Sequence, residues 1–149
     1  MRKSKNLQSI DKLIEIMDEL RLECPWDNGQ TMDSLKTLTI EETYELVDAI
    51  NNNDFDEIKN ELGDLLLHIV FYSKIASEKD IFDFNDVIES ISKKLIFRHP
   101  HIYQNKEKIS QEQVKKNWEK LKLREGRESI LSGVPKRFPS LINALRIKE

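Results

Sequence analysis

The sequence predicts an all-α fold, and three observations carry that expectation. Apolar residues recur at three- and four-residue spacing through successive segments. Only four Gly and four Pro occur in 149 residues, which favours long uninterrupted helices over many tight turns. No stretch resembles a sheet strand.

The elements follow in order. Leu7, Ile10, Leu13, Ile14, Met17 and Leu20 mark a first amphipathic helix, which Pro25 and the Asn28-Gly29 pair stop. Thr31 or Asp33 caps a second, with Leu35, Leu38, Leu46, Ala49 and Ile50 on its inner face. Asn51 to Asn53 form a turn, and Asp54 caps a third helix over about Asp56 to Ser77. That helix is apolar nearly all round (Ile58, Leu62, Leu65, Leu66, Leu67, Ile69, Val70, Phe71, Ile75), so it is expected to be buried in a core or a subunit interface. A fourth starts at Asp83 or Asn85 with Val87, Ile88, Ile91 and Leu95 inside, and ends before His99-Pro100. A polar linker, Gln104 to Lys108, leads to a further helix from Ser110 to about Arg124. The remainder reads as loop and then a short helical start at Leu141 to Ile147, so residues 1–125 form one domain and 126–149 an extension.

Composition narrows the function. The net charge of −3 argues against a nucleic-acid binder working through bulk electrostatics. The longest apolar stretch, Leu65 to Tyr72, contains His68 and is too short to span a bilayer. Cys24 is the single cysteine, so no internal disulfide forms, which fits a cytoplasmic setting.

The informative residues are acids. Glu41, Glu42 and Glu45 lie within one turn of the second helix, and Glu61 and Asp64 sit at i, i+3 on the third. Glu42 is seven residues from Leu35 and four from Leu38 and Leu46; Glu45 is four from Ala49. Both therefore project toward the apolar side, while Glu61 and Asp64 belong to a helix with almost no polar side. A glutamate-rich string is ordinarily solvated surface; two inward sets on consecutive helices are not. Crowded, sheltered carboxylates are costly unless they protonate or bind a cation. Oxygen-only donors point to Mg²⁺ or Mn²⁺ before Zn²⁺. A di-iron site is set aside, because no Glu lies three residues before His68, His99 or His101.

Lys93, Lys94, Arg98 and His99 cluster at the end of the fourth helix, where they either meet phosphates or offset the helix dipole. Trp26 and Trp118 either stack on a base or, as the favoured reading, fill the core, and His68 reads as a satisfied core histidine.

These residues sit in strings that resemble the MazG family. The strings are Cys24-Pro25-Trp26-Asp27, Gln30-Thr31, Glu41-Glu42-Thr43-Tyr44-Glu45, Glu61-Leu62-Gly63-Asp64-Leu65-Leu66 and Lys94 through Tyr103, and the similarity continues through Trp118 to Leu141. The resemblance implies an all-α NTP pyrophosphatase fold with a four-helix-bundle-like, dimeric core. It implies Mg²⁺-dependent hydrolysis of NTPs and dNTPs to a monophosphate and pyrophosphate. It makes Glu42, Glu45, Glu61 and Asp64 the metal ligands and Glu41 a neighbouring acid that helps orient water. Lys94 and Arg98 become phosphate ligands and Trp118 a nucleotide contact. Met32 departs from the His or aromatic of many relatives, which bears on base preference. The chain also ends where longer relatives lead into a second domain, leaving open a single-domain form or part of a longer protein. The alternatives are a single-substrate relative acting on dUTP or phosphoribosyl-ATP, and a non-catalytic helical regulatory or interaction module.

Overall fold

The computed structural model describes residues 2–124, all of whose regular elements are helices. They are α1 (Arg2–Glu23), α2 (Pro25–Gly29), α3 (Met32–Asn52), α4 (Phe55–Ser77), α5 (Phe84–Arg98), α6 (Pro100–Tyr103) and α7 (Gln111–Arg124). The expected extension, 126–149, lies outside the described residues. The chain divides into two compact units, Met1–Ile88 and a second beginning at Glu89. No described helix is long and apolar enough to cross a membrane.

Side-chain caps set most helix starts in the first unit. Thr31 accepts from the Ser34 backbone N–H at 3.1 Å, and Ser34 Oγ accepts from the Thr31 N–H at 2.9 Å, closing a capping box on α3. Asp54 Oδ1 accepts from the N–H groups of Asp56 and Glu57, both at 3.2 Å, and caps α4. Between them Asn53 adopts the left-handed region (φ 54°) and ends α3. Asp83 and Asp86 cap α5 reciprocally, each side chain accepting from the other's backbone N–H at 2.9 and 3.0 Å.

The connection of Asn53 and Asp54 forces α3 and α4 into an antiparallel hairpin, the dominant helix pair of the unit. Residues equally far from that turn then lie at the same level. Glu45 stands eight residues before Asn53 and Glu61 seven after Asp54, so the hairpin itself brings the two acidic sets abreast. Helix α1 packs on α2 and α4. The core joins Met17 of α1, Leu35 of α3 and Val70, Phe71 and Ile75 of α4, with Leu13, Leu38, Leu67 and Phe84 packed against it. Thr39 and Tyr72 tie α3 to α4 by a hydroxyl–hydroxyl hydrogen bond of 2.7 Å.

Three expectations change. The Pro25 break is itself a short helix, because a proline at the first helical position loses only an N–H that has no intrahelical partner there. Pro100 starts α6 in the same way, where the sequence read no helix. Helix α4, expected in a core or a subunit interface, is buried on its core side and open on another: Leu62, Leu66 and Ile69, at i, i+4 and i+7, are 53, 39 and 45% exposed. Ile50 of α3 and Ile88, Ile91 and Leu95 of α5, expected on inner faces, are likewise exposed.

Candidate functional site

In the first unit the hairpin gathers Glu42, Glu45 and Glu61. Each offers a carboxylate oxygen, and these oxygens lie within 4.8 Å of one another. Glu61 is buried at 8% exposure, Glu42 is half-buried, and Glu45 is exposed. The carboxyl groups of Glu42 and Glu61 face each other within this cluster. The other Glu61 oxygen, Oε2, is buried with no protein partner.

The electrostatics follow from that crowding. Burial raises the Glu42 carboxyl above its ordinary value, and the charges of Asp64 and Glu45 add to the rise. Burial likewise raises Glu61, with Glu45, Glu42 and Asp64 pushing the same way. Protonation of Glu42 or Glu61, which both raised values favour, would relieve part of the repulsion.

The arrangement can also hold a metal ion. Hard divalent cations take oxygens at roughly 2.0–2.6 Å, so two donors of one ion stand up to about 5 Å apart, a span that accommodates this trio. The orphaned Oε2 supplies a donor already stripped of water. Asp64 acts on Glu42 and Glu61 through its charge but stays exposed and outside the trio. Three residues along a helix leave it about 60° round the axis from Glu61. Glu41 is exposed, and its charge is the smallest of the effects raising Glu42.

Beside the trio opens a cavity of about 450 Å³ whose lining includes Tyr44, Glu45, Asp48, Asn52, Glu57 and Glu61. Tyr44, Asp48 and Asn52 have no part in the site expected from sequence, where Asn52 reads as turn; α3 runs through it, and their i, i+4, i+8 spacing marks one face. His68, one turn beyond Asp64, is buried as expected but not satisfied: its Nδ1 has no partner. Burial lowers its pKa, with Asp64 opposing. Trp26 is not a core residue; it is 57% exposed.

The second unit carries the basic residues. Lys94 is exposed, and Lys93 pairs with Glu89 at 2.6 Å. Arg98 is buried, its guanidinium 5.5 Å from the centroid of the Trp118 ring. Trp118 is half-buried and lines a cavity of about 510 Å³ with Gln111, Glu112, Val114 and Lys115.

A family model described as the MazG nucleotide pyrophosphohydrolase domain matches residues 30–103. A nucleoside triphosphate pyrophosphohydrolase of Escherichia coli K12 is 41% identical over 150 residues, covering 96% of this chain. This chain belongs to the MazG family. The nucleoside triphosphate pyrophosphohydrolase/pyrophosphatase MazG of Thermotoga maritima is 40% identical over 93% of the chain. The crystal structure of a mazG-related protein from Thermotoga maritima superposes with a TM-score of 0.67 at 26% identity, covering 76% of this chain and 98% of that one. The chain spans 57 and 55% of the length of those two curated relatives. The segment matched by the MazG model contains both carboxylate sets, Lys94 and Arg98, and stops short of Trp118.

Proposed function

We propose that this chain is a Mg²⁺-dependent nucleoside triphosphate pyrophosphohydrolase, with NTPs and dNTPs as substrates. The observation that carries the reading is the Glu42–Glu45–Glu61 trio with its buried, unpartnered Glu61 Oε2. The names of the curated relatives support the same reaction.

Glu42, Glu45 and Glu61 would hold the ion, with Asp64 completing the set after a change of rotamer, and Mn²⁺ could substitute. A bound Mg²⁺ supplies Lewis acidity toward phosphate oxygens and lowers the pKa of coordinated water. The chain's own residues account for the remaining work. Glu41, an exposed acid one residue before the half-buried Glu42, would help to orient the attacking water, whose proton passes to a carboxylate of the acidic set. The water oxygen bonds to the α-phosphorus while the bond from that phosphorus to the α,β-bridging oxygen breaks, and pyrophosphate leaves carrying that oxygen. Lys94 and Arg98 are the cations for the charge collecting on the pyrophosphate, and Trp118 belongs to the same substrate-binding set. A homodimer fits the exposed apolar stripe of α4, and a cytoplasmic setting fits a nucleotide substrate. We assign the catalytic domain to residues 1–125.

Incubation with a panel of NTPs and dNTPs plus Mg²⁺, followed by chromatography, tests the reading. The expected products are a monophosphate and pyrophosphate. Diphosphate and orthophosphate would overturn the bond assignment, and turnover of a single nucleotide would replace the broad substrate class with a narrow one.

A further inference from the structure

Trp118 has the ring of a base platform, but its surroundings give it another task. Within the second unit the Arg98 guanidinium carbon stands 5.5 Å from the centroid of the Trp118 ring. The His99 ring meets the same indole edge-on, with centroids 4.9 Å apart and planes at 81°. His99 is itself anchored, its Nδ1–H donating to the Leu95 carbonyl at 2.6 Å. That carbonyl belongs to the last turn of α5, where backbone oxygens have no intrahelical donor. Arg98 is 9% exposed, so its long side chain is confined where it lies.

We propose that Trp118 is a positioning residue: its indole, steadied by His99, holds the Arg98 guanidinium in one orientation for a phosphate group. A cation over an aromatic face is attracted by the ring's electron density without using the guanidinium's N–H donors. Those donors lie in the guanidinium plane as a fork that suits two phosphate oxygens. Helix α7 therefore acts on the substrate through an arginine of α5. The inference rests on the reading of Arg98 as a phosphate ligand, and it deepens that reading by moving Trp118 from base contact to arginine support.

A ligand without a base separates the two roles. Inorganic tripolyphosphate binding in the presence of Mg²⁺ is measured by calorimetry, alongside kcat and KM for an NTP, on the full chain and on Trp118→Leu, Trp118→Phe and Arg98→Ala. If Trp118 works through Arg98, Trp118→Leu weakens tripolyphosphate binding by about two- to thirtyfold, the range of a cation–π contact. The KM for the NTP rises by a similar factor, Trp118→Phe restores most of both, and Trp118→Leu adds no further loss in the Arg98→Ala background. Should Trp118→Leu lose its helical circular dichroism signal, Trp118→Phe is read instead, with the low end of that range expected in both assays. Unchanged tripolyphosphate binding with a raised NTP KM would overturn the proposal in favour of base stacking, as would additive losses in the double variant. A wild-type chain that binds tripolyphosphate but releases no pyrophosphate would overturn the reaction reading alone, since the binding comparison still decides the role of Trp118.

Discussion

Glu61 concentrates the chemistry of the first unit in one side chain. It is buried, it sits against the carboxyl of Glu42, and its Oε2 faces no donor. Its raised pKa makes the metal-free fold pH-dependent in a definite direction. The ordinary value is 4.5, and the folded chain holds its proton above that pH whereas the unfolded chain releases it. The folded state thus binds more protons, so this residue's contribution to stability falls as pH rises from about 4.5. Glu61→Gln removes the ionisation while keeping the shape. In metal-free buffer its melting temperature is expected to exceed that of the parent at pH 7, with the gap closing toward pH 4.5. Added Mg²⁺ stabilises the parent and leaves Glu61→Gln unmoved, because an ion that binds only the folded state raises stability by mass action. A parent and variant with parallel melting curves across that range would remove the argument for a crowded cation site. The expected kinetic counterpart is loss of pyrophosphate release in Glu42→Gln and Asp64→Asn, each with its helical signal intact. Near-parental turnover in both would refute the ligand assignment.

At the scale of elements, the α3–α4 hairpin is what makes a site of the two acidic sets. Its register rests on three consecutive devices: the end of α3, the left-handed Asn53, and the Asp54 cap. Asp54→Ala leaves the first N–H groups of α4 unpaired and is expected to lower stability by about 1 kcal/mol, read from the urea midpoint. Arg21 has a comparable role at the other end of the unit. It donates to the carbonyls of Asp27, Asn28 and Gln30 and forms two hydrogen bonds to Glu78, holding α2 against the end of α4. Arg21→Ala strands those acceptors, part-buried and exposed alike, and is expected to cost about 1–3 kcal/mol with the same readout. Much of this level was legible in the sequence because caps are local chemistry: Thr31, Asp54 and Asp83 announce themselves by residue type and position. The acids were legible in part, since i, i+3 spacing sets Glu42 and Glu45 close together on α3. Two things were not legible. Short helices begun by Pro25 and Pro100 look like breaks, because proline is read first as a terminator. The different fates of Glu61 and Asp64, one buried and one exposed, depend on rotation about α4 relative to α3, which no pattern within one helix contains.

For the whole molecule, the remaining question is what covers the apolar stripes. Periodicity reveals that a helix has an apolar face but not whether the cover comes from the same chain, and of the two settings expected for α4, a core or a subunit interface, the core accounts for one side. Leu62, Leu66 and Ile69 continue along α4 on the side that the first unit's core leaves open, and Leu62 adjoins Glu61 in sequence. Exposed apolar residues in a continuous helical row are a surface that water disfavours, and a second copy offering the same row buries both at once. A homodimer through α4 would consequently lie close to the acids, and would tie assembly to catalysis. Leu66→Asp places a charge in that row without touching the core, Leu67 being the neighbour that packs inward. The expected result is a shift to monomer in sedimentation velocity with the helical signal retained. Weakened Mg²⁺ binding should accompany it, since Glu61 would lose part of the shelter that a partner adds. A Leu66→Asp chain that sediments as the parent does would place the partner surface elsewhere, with the exposed row of α5, Ile88, Ile91 and Leu95, as the next face to test.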